Sequence, residues 1–436
     1  MLSLGWKMSG KIMIIEVKNF FRNDYGLSIF NKVYSILVGI ASSAFYVRYL
    51  GLEYKGIYSY INEITTIIGL VINLGIYQSY PFFYRKKGNN IFKSYADIFV
   101  IQFGLYVSMS ATISILFHNN MIIRLICLQL PFFVLKTQLE NIVIVEKIKL
   151  YMWADMALKT LLALIYMILW LTAPIHVSYV VLTVASTNFL ISIVYLKGLH
   201  YRFSYHNLKP DLNFFKEVVI FGVYPMLSAL LMTLNYSVDI IFLEHLSTPN
   251  ELSLYSVAAV LINYVWLIPN AFKEVLISKI AKSDSNDQIS FSCRISLLIT
   301  LICLIGFAIV GRKVVGIVFG VDFIECYLVT LVLFIGAFSM IFFKMLGVAF
   351  VAEGRQKEYF IILMISVIVN LVLNFLLIPI WRMYGAAFAS VMSYSVCGIA
   401  FLCRYCAWKK VNPLGYIFIK NSDIAAFRTI IKRRKI

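Results

Sequence analysis

Residues 359–380 read YFIILMISVIVNLVLNFLLIPI, a run with no formal charge. Wound as a helix at about 1.5 Å per residue, it covers the roughly 30 Å of hydrocarbon in a bilayer. Charge closes it on one side, at Glu353, Arg355, Lys357 and Glu358, and Pro379, Trp381 and Arg382 close it on the other. Water is absent from the bilayer core, so a lone apolar run of this length satisfies its backbone only as a helix. Outward from it, about twelve such runs fall at 28–47, 57–83, 94–117, 121–145, 154–173, 177–196, 218–243, 254–276, 291–310, 326–351, 359–380 and 384–407. The chain has 436 residues, 61% hydrophobic and 14% charged, with a mean hydropathy of +0.85. Charged residues make up about a quarter of a soluble protein, so a soluble globular domain is excluded. The fold class expected is an all-α integral membrane protein.

The net charge of +18 has a location. Counting from a cytoplasmic amino end, Lys and Arg crowd the inner connections, at Arg85, Lys86, Lys87, Lys93, Lys147, Lys149, Lys197, Arg202, Lys209, Lys216, Lys273, Lys279, Lys282, Arg294, Arg355 and Lys357. Both ends are basic as well, whereas the outer side holds only Arg48, Lys55, Arg124, Arg312, Lys313 and Arg382. This bias orients the chain with both termini cytoplasmic and accounts for the basic excess without nucleic acid. Residues 1–27 carry charge throughout and lack the apolar core of a signal peptide, so they read as a cytoplasmic amphipathic segment. The division that follows is 28–197 as a first six-helix bundle, 198–217 as a cytoplasmic linker, 218–407 as a second six-helix bundle and 408–436 as a basic cytoplasmic tail.

The halves are weakly self-similar. IYS at 57–59 matches LYS at 254–256, and Glu146, Lys147, Lys149 and Tyr151 parallel Glu353, Arg355, Lys357 and Tyr359. Two six-helix halves in one orientation imply a pseudo-two-fold axis along the membrane normal and a central cavity. Polar residues inside the runs are costly in lipid and collect on one face when they line water. Lys32, Ser35, Gly39, Ser42 and Tyr46 form one helical stripe, and Asn62, Thr66, Gly69, Asn73, Tyr77, Tyr80 and Tyr84 another. Tyr224, Ser228, Asn235 and Asp239 make a third, and Ser256, Asn263 and Asn270 recur every seven residues. Gly and Ser members suit helix packing; the Lys, Asp and Asn members point to a water-filled cavity.

The candidate cavity cations are Lys32, Arg48, Lys136 and Lys344. Lys32 lies close enough to the inner edge to snorkel, and Lys136 has Glu140 one turn along, so both also admit a local reading. Lys344 lies nine residues, about 13 Å, from the boundary at Glu353, beyond snorkelling reach. Lys159, four residues after Asp155, reads as a local ion pair. The cavity amides are Asn62, Asn73, Asn235, Asn263 and Asn270, and Glu63 and Asp239 are candidates for ion coupling. An excess of cations favours an anionic head group such as a diphosphate, and Tyr and Asn suit a sugar. Cys403 and Cys406 lack the second pair or the His that a metal site needs, so no metal is expected. With no GxxxxGK[ST], HExxH, GxSxG or dinucleotide GxGxxG, and no long loop, the pattern is that of a transporter rather than an enzyme.

VRYLG at 47–51, GIYS at 56–59 and LG at 74–75, then GVYPMLS at 222–228, SVDIIFL at 237–243, LYSVA at 254–258 and IPNAF at 268–272, followed by AEG at 352–354, NLVLNFLLIP at 370–379 and GAAFAS at 385–390, resemble the Wzx-type polysaccharide flippases. Those belong to the multidrug/oligosaccharidyl-lipid/polysaccharide (MOP) exporter superfamily. The resemblance implies a MATE-like fold and alternating-access translocation of undecaprenyl diphosphate-linked oligosaccharide to the outer leaflet of a bacterial plasma (inner) membrane. The polymer served would be O-antigen, capsule or exopolysaccharide. It also implies a proton or sodium gradient in place of any cofactor, and a polysaccharide polymerase and chain-length regulator as partners. By position, Arg48 and Asp239 match family motif residues. The sequence departs from the family at Ser253, where Gly is usual, and at Trp381, Arg382 and Met383. A MATE-like drug exporter would want an acid-lined pocket, and a polymerase a large outer loop, so both are lesser alternatives.

Overall fold

In this computed structural model the described residues are 24–88, 91–201, 211–280, 286–420 and 423. Residues 1–23 of the amphipathic segment expected over 1–27, the middle of the 198–217 linker and much of the 408–436 tail lie outside them. Regular structure among the described residues is helical. The order is α1 (Asp24–Ile72), α2 (Ile76–Lys87), α3 (Ile91–Leu116), α4 (Met121–Glu146), α5 (Ile148–Thr172), α6 (Val177–Gly198), α7 (Leu212–Leu246), α8 (Pro249–Ile280), α9 (Asn286–Val318), α10 (Cys326–Ala352) and α11 (Gln356–Lys409).

Nine helices among the described residues are long and apolar enough to cross a membrane. Two of these are broken. α1 breaks at Gly51, where φ is 61° and ψ −171°, and α11 breaks at Arg382, where φ is 50° and ψ −126°. Each break falls where the sequence places the end of one apolar run and the start of the next. Gly adopts a positive φ freely; Arg382 adopts it against the strain that its side chain imposes, at a distance of 3.6 Å from Glu251. The run at 57–83, expected as one helix, is two: α1 ends at Ile72, Leu74 and Gly75 turn with positive φ, and α2 follows. The turn accommodates a close approach of backbones, since a Cβ on Gly75 or on Gly222 would overlap the other's carbonyl.

The chain forms two compact units. Unit 1 comprises 1–51 and 61–230, and unit 2 comprises 52–60 and 231–436. The boundary lies inside α7, not in the loop before it, because the first half of that 35-residue helix packs on α2. Phe221 stacks on Phe82 at 4.3 Å, Phe214 meets Phe83 edge-on, and Glu217 accepts from Lys87 at 3.1 Å.

Corresponding helices lie at the heart of each unit. In unit 1, α4 packs on α6 and α3; in unit 2, α10 packs on α11 and α8. Every residue of α10 from Met340 to Phe350 is buried, Lys344 included. Large apolar side chains such as Ile115, Ile309 and Ile317 instead project outward, as on a surface solvated by lipid. Beyond α11, Arg294 at the start of α9 grips the chain with a buried bidentate pair to Asp423, at 2.6 and 2.7 Å, and a bond to the Gly415 carbonyl at 2.6 Å.

Candidate functional site

Unit 2 holds a cavity of about 390 Å³ lined by Lys273, Phe343, Lys344, Gly347, Val348, Val351, Ala352 and Tyr359. Two lysines and no carboxylate border it. Lys344 comes from the most enclosed stretch of α10, where its ammonium is held by neutral groups. Its Nζ donates to Asn270 Oδ1 at 3.0 Å and sits 4.7 Å from the Trp266 ring and 5.7 Å from the Tyr236 ring. Among the described residues no carboxylate lies within ion-pair distance of it. The Trp266 indole N–H and the Tyr236 hydroxyl are buried there without a partner among the described residues. A buried donor left unpaired costs about 1–3 kcal/mol, so two of them beside a lysine make a locus short of acceptors. Such a locus is chemically suited to anionic oxygen.

A second buried polar cluster centres on Asp239, also in unit 2. α7, α8 and the two parts of α11 supply it. Asp239 is wholly enclosed and accepts from the Tyr255 hydroxyl at 2.5 Å, from Asn374 Nδ2 at 2.6 Å and from the Ser390 hydroxyl. Asn374 also donates to Asn370, while Asn235 donates to Ser366 at 2.8 Å and accepts from Ser393 at 2.6 Å. Its partners Tyr255, Asn374 and Ser390 are uncharged. The side-chain oxygen of Asn374 is buried with no donor to it among the described residues. An ionisable carboxyl beside an acceptor that lacks a donor can take up a proton or a small cation. No group of three or more His, Cys, Asp or Glu able to hold a metal occurs among the described residues.

The other predicted positions divide. Asn270 joins the Lys344 site, but Asn263, one repeat earlier on α8, is exposed, and Ser256 is buried against Lys55. In unit 1, Lys136 is ion-paired with Glu140 in the same helix, so it does not bring an uncompensated charge. Asn73 is buried in a chain of amides, accepting from Gln138 at 2.7 Å while Gln138 donates to Gln102 at 2.8 Å; Asn62 accepts from Gln129 at 3.2 Å. These amides join α1 and the turn after it to α3 and α4 inside one bundle, where such side chains serve as helix contacts. The stripe of Lys32 is partly packed as well: Ser35 bonds to Asp155 and Lys159, and Tyr46 meets Tyr166 edge-on. Lys159 and Asp155 form the local pair at 2.7 Å. Lys32 and Glu63 are half-buried, and Arg48 lies 5.6 Å from the Trp170 ring.

Sequence reasoning missed Lys55, Lys273, Tyr255, Ser366, Asn370, Asn374, Ser390 and Ser393. For Ser366, Asn370 and Asn374 a signal existed, since they recur every four residues on one helical face. Lys55 carried none, because a charge beside a helix break reads as solvated; it is 1% exposed.

No family model matches the chain. It is 26% identical over 216 residues to the capsular polysaccharide biosynthesis protein CapF of Staphylococcus aureus, a match covering 47% of this chain and 54% of that protein. The chain thus matches about half the length of that curated relative. Among solved structures it resembles the lipid II flippase MurJ in an inward closed conformation, with a TM-score of 0.72, 13% identity, and 89% and 88% of the two chains covered. An inward-facing multidrug resistance MATE transporter of the MOP superfamily gives 0.64, with 16% identity over 86% and 96%. A MOP superfamily transporter from Pyrococcus furiosus gives 0.58, with 14% identity over 90% and 98%. This protein is therefore a multi-pass membrane protein with the fold that MurJ and the MATE transporters of the MOP superfamily share.

Proposed function

We propose that the protein is a flippase that carries an undecaprenyl diphosphate-linked oligosaccharide from the cytoplasmic to the outer leaflet of a bacterial plasma membrane. It works by alternating access and supplies a surface polysaccharide, whether O-antigen, capsule or exopolysaccharide. The observation that carries this reading is the cavity of unit 2 bordered by Lys273 and Lys344, with the unpaired donors of Trp266 and Tyr236 beside Lys344, which together favour an anionic head group. A cation exporter of the same fold would need the opposite polarity there, and a polymerase would need an outer domain. The capsule-biosynthesis relative supports the polysaccharide branch, and the MurJ likeness supports a lipid-linked cargo.

In this reading Lys344 engages the diphosphate, Lys32 and Arg48 are further cations on its route, and the Asp239 cluster takes the coupling proton or sodium ion, with Glu63 as a second candidate. Both termini are cytoplasmic, and the polymerase and chain-length regulator act on the delivered unit. The test is the lipid-linked glycan pool of a strain lacking the gene, with an impermeant glycan-modifying enzyme on spheroplasts reporting the leaflet. Completed diphosphate-linked units held on the inner leaflet, with surface polymer gone, are the expected result. Units reaching the outer leaflet unpolymerised would shift the assignment to the polymerase, and an unaltered pool would shift it to small-molecule export.

A further inference from the structure

Past its last span the chain turns back on itself. α11 ends at Lys409, Lys410 has a positive φ of 55°, and the Val411 N–H returns to the Cys406 carbonyl at 3.1 Å. Residues 411–420 then lie beside the ends of two spans of unit 2. Tyr416 is buried with its ring 5.7 Å from that of Tyr405, whose hydroxyl donates to Asn286 at the start of α9, and Arg294 donates to the Gly415 carbonyl. Arg294 is just inside the apolar run that begins at 291, and Tyr405 is just inside the one that ends at 407. The segment is thereby held level with the points where those two spans leave hydrocarbon.

Its side chains divide by face. Tyr416 points inward, whereas Leu414, Ile417, Phe418 and Ile419 are exposed, Leu414 to 56% and Phe418 to 64%. Single exposed apolar side chains are ordinary, but four within six residues outside a span form a patch. The backbone beneath them is bonded. Asn412 Oδ1 accepts from the Leu414 N–H at 2.9 Å, the Leu414 carbonyl accepts from the Ile417 and Phe418 N–H groups, and Asp423 accepts from the Lys420 N–H at 2.9 Å. Backbone satisfied in this way enters the boundary between head groups and acyl chains at little cost. Lys410 and Lys420, both exposed, flank the patch, and residues 409–420 contain no carboxylate. The next carboxylate along the chain, Asp423, is already paired with Arg294. An apolar centre between two ammonium groups complements a bilayer surface that bears anionic head groups.

We propose that residues 410–420 are an interfacial anchor. Leu414, Ile417, Phe418 and Ile419 enter the leaflet at which α9 starts and α11 ends, and Lys410 and Lys420 take the phosphates of anionic phospholipids there. Arg294 and Asp423 hold the segment in that plane. The anchor is independent of the cargo that the protein carries.

The experiment installs a photoreactive benzophenone amino acid in place of Phe418 in the full chain, purified in lipid nanodiscs, and identifies its adducts by mass spectrometry. Discs containing phosphatidylglycerol should give phospholipid adducts, in a yield within about twofold of that from the same amino acid at Ile309, an exposed position inside α9. Discs of phosphatidylcholine alone should lower the yield at position 418 roughly fivefold and leave that at 309 unchanged. The Lys410→Gln, Lys420→Gln double variant should lower it equally in phosphatidylglycerol, with an unaltered size-exclusion profile. The same amino acid at Leu414 repeats the measurement without disturbing Phe418. Adducts to a second copy or to residues 424–436 in place of lipid would give the patch to another occupant and overturn the anchor. Equal yields with and without phosphatidylglycerol would overturn the part assigned to Lys410 and Lys420. None of these readouts depends on the flippase reading, so failure of one leaves the other standing.

Discussion

The two units treat buried charge in opposite ways. In unit 1, Lys136 is neutralised by Glu140 and Lys159 by Asp155, each one helical turn away, and the buried amide oxygens of Asn73 and Gln102 both accept from Gln138. In unit 2, Lys344 is held by an amide and two aromatic rings, and Asp239 by hydroxyls and an amide. Opposite-charge pairs of unit 2 such as Arg404 with Glu358 and Lys409 with Glu353 lie near helix ends. An ionisable group in a membrane helix is expensive unless paired. Unit 1 sets its intramembrane lysines beside carboxylates, whereas unit 2 sets Lys344 and Asp239 among neutral groups.

The sharpest way to break this contrast is to exchange the two intramembrane lysines for neutral residues. Lys344→Ala should cut surface polymer by on the order of 100-fold, as expected where truncating a buried charge costs 2–5 kcal/mol of recognition, with normal protein in the membrane. The Lys136→Gln, Glu140→Gln double variant should retain most activity. Comparable losses in both would erase the distinction between the units.

A smaller effect is expected at Asp239. Asp239→Asn keeps acceptor and donor capacity at the site but removes the titratable charge, so transport should fall roughly tenfold, about 1.4 kcal/mol, and lose its response to an ionophore. An unchanged ionophore response would take Asp239 out of coupling and leave the cluster as packing.

Gln138→Leu probes the unit 1 side. It leaves Asn73 and Gln102 without their shared donor, so thermal stability should drop by the about 1–3 kcal/mol of an unsatisfied buried group, with transport per folded molecule unaltered. A transport defect at full stability would show that these amides do more than join helices.

The smallest effect concerns the pair at the end of unit 2. Arg294 beside Asp423 holds its carboxyl below the usual carboxylate range. A lowered folded value means that the pair stabilises fully above the unfolded value of about 3.9 and is lost as pH falls through the lower folded one. Hydrogen exchange over 411–420 should therefore stay slow from neutral pH to about 4 and quicken below it, while Asp423→Asn should quicken it at neutral pH without affecting transport. Fast exchange in the parent at neutral pH would show that the Arg294–Asp423 pair does not hold residues 411–420 in place.

Much of the fold was legible in the sequence, because length and hydropathy are properties of a single helix. The run at 359–380 needs no partner to be recognised, and the breaks at Gly51 and Arg382 fall where apolar runs meet. The break near Gly75 was hidden because it answers to Gly222, distant in sequence. In the site, Lys344 was legible from depth alone: nine residues from the nearest boundary, no helix lets a lysine reach water. Asn73 and Asn235 look alike in sequence, yet one accepts from Gln138 in unit 1 and the other from Ser393 beside the Asp239 cluster.

By itself, then, the sequence determined that the chain is an array of apolar helices, with a lysine deep inside one of them. Tertiary structure alone decided that Lys55 is buried, that Lys273 shares a cavity with Lys344 and that α7 belongs to both units. The reason is physical: a helix's length and apolar faces follow from its own residues, but the partner that each polar side chain meets depends on which neighbour is brought within about 3 Å.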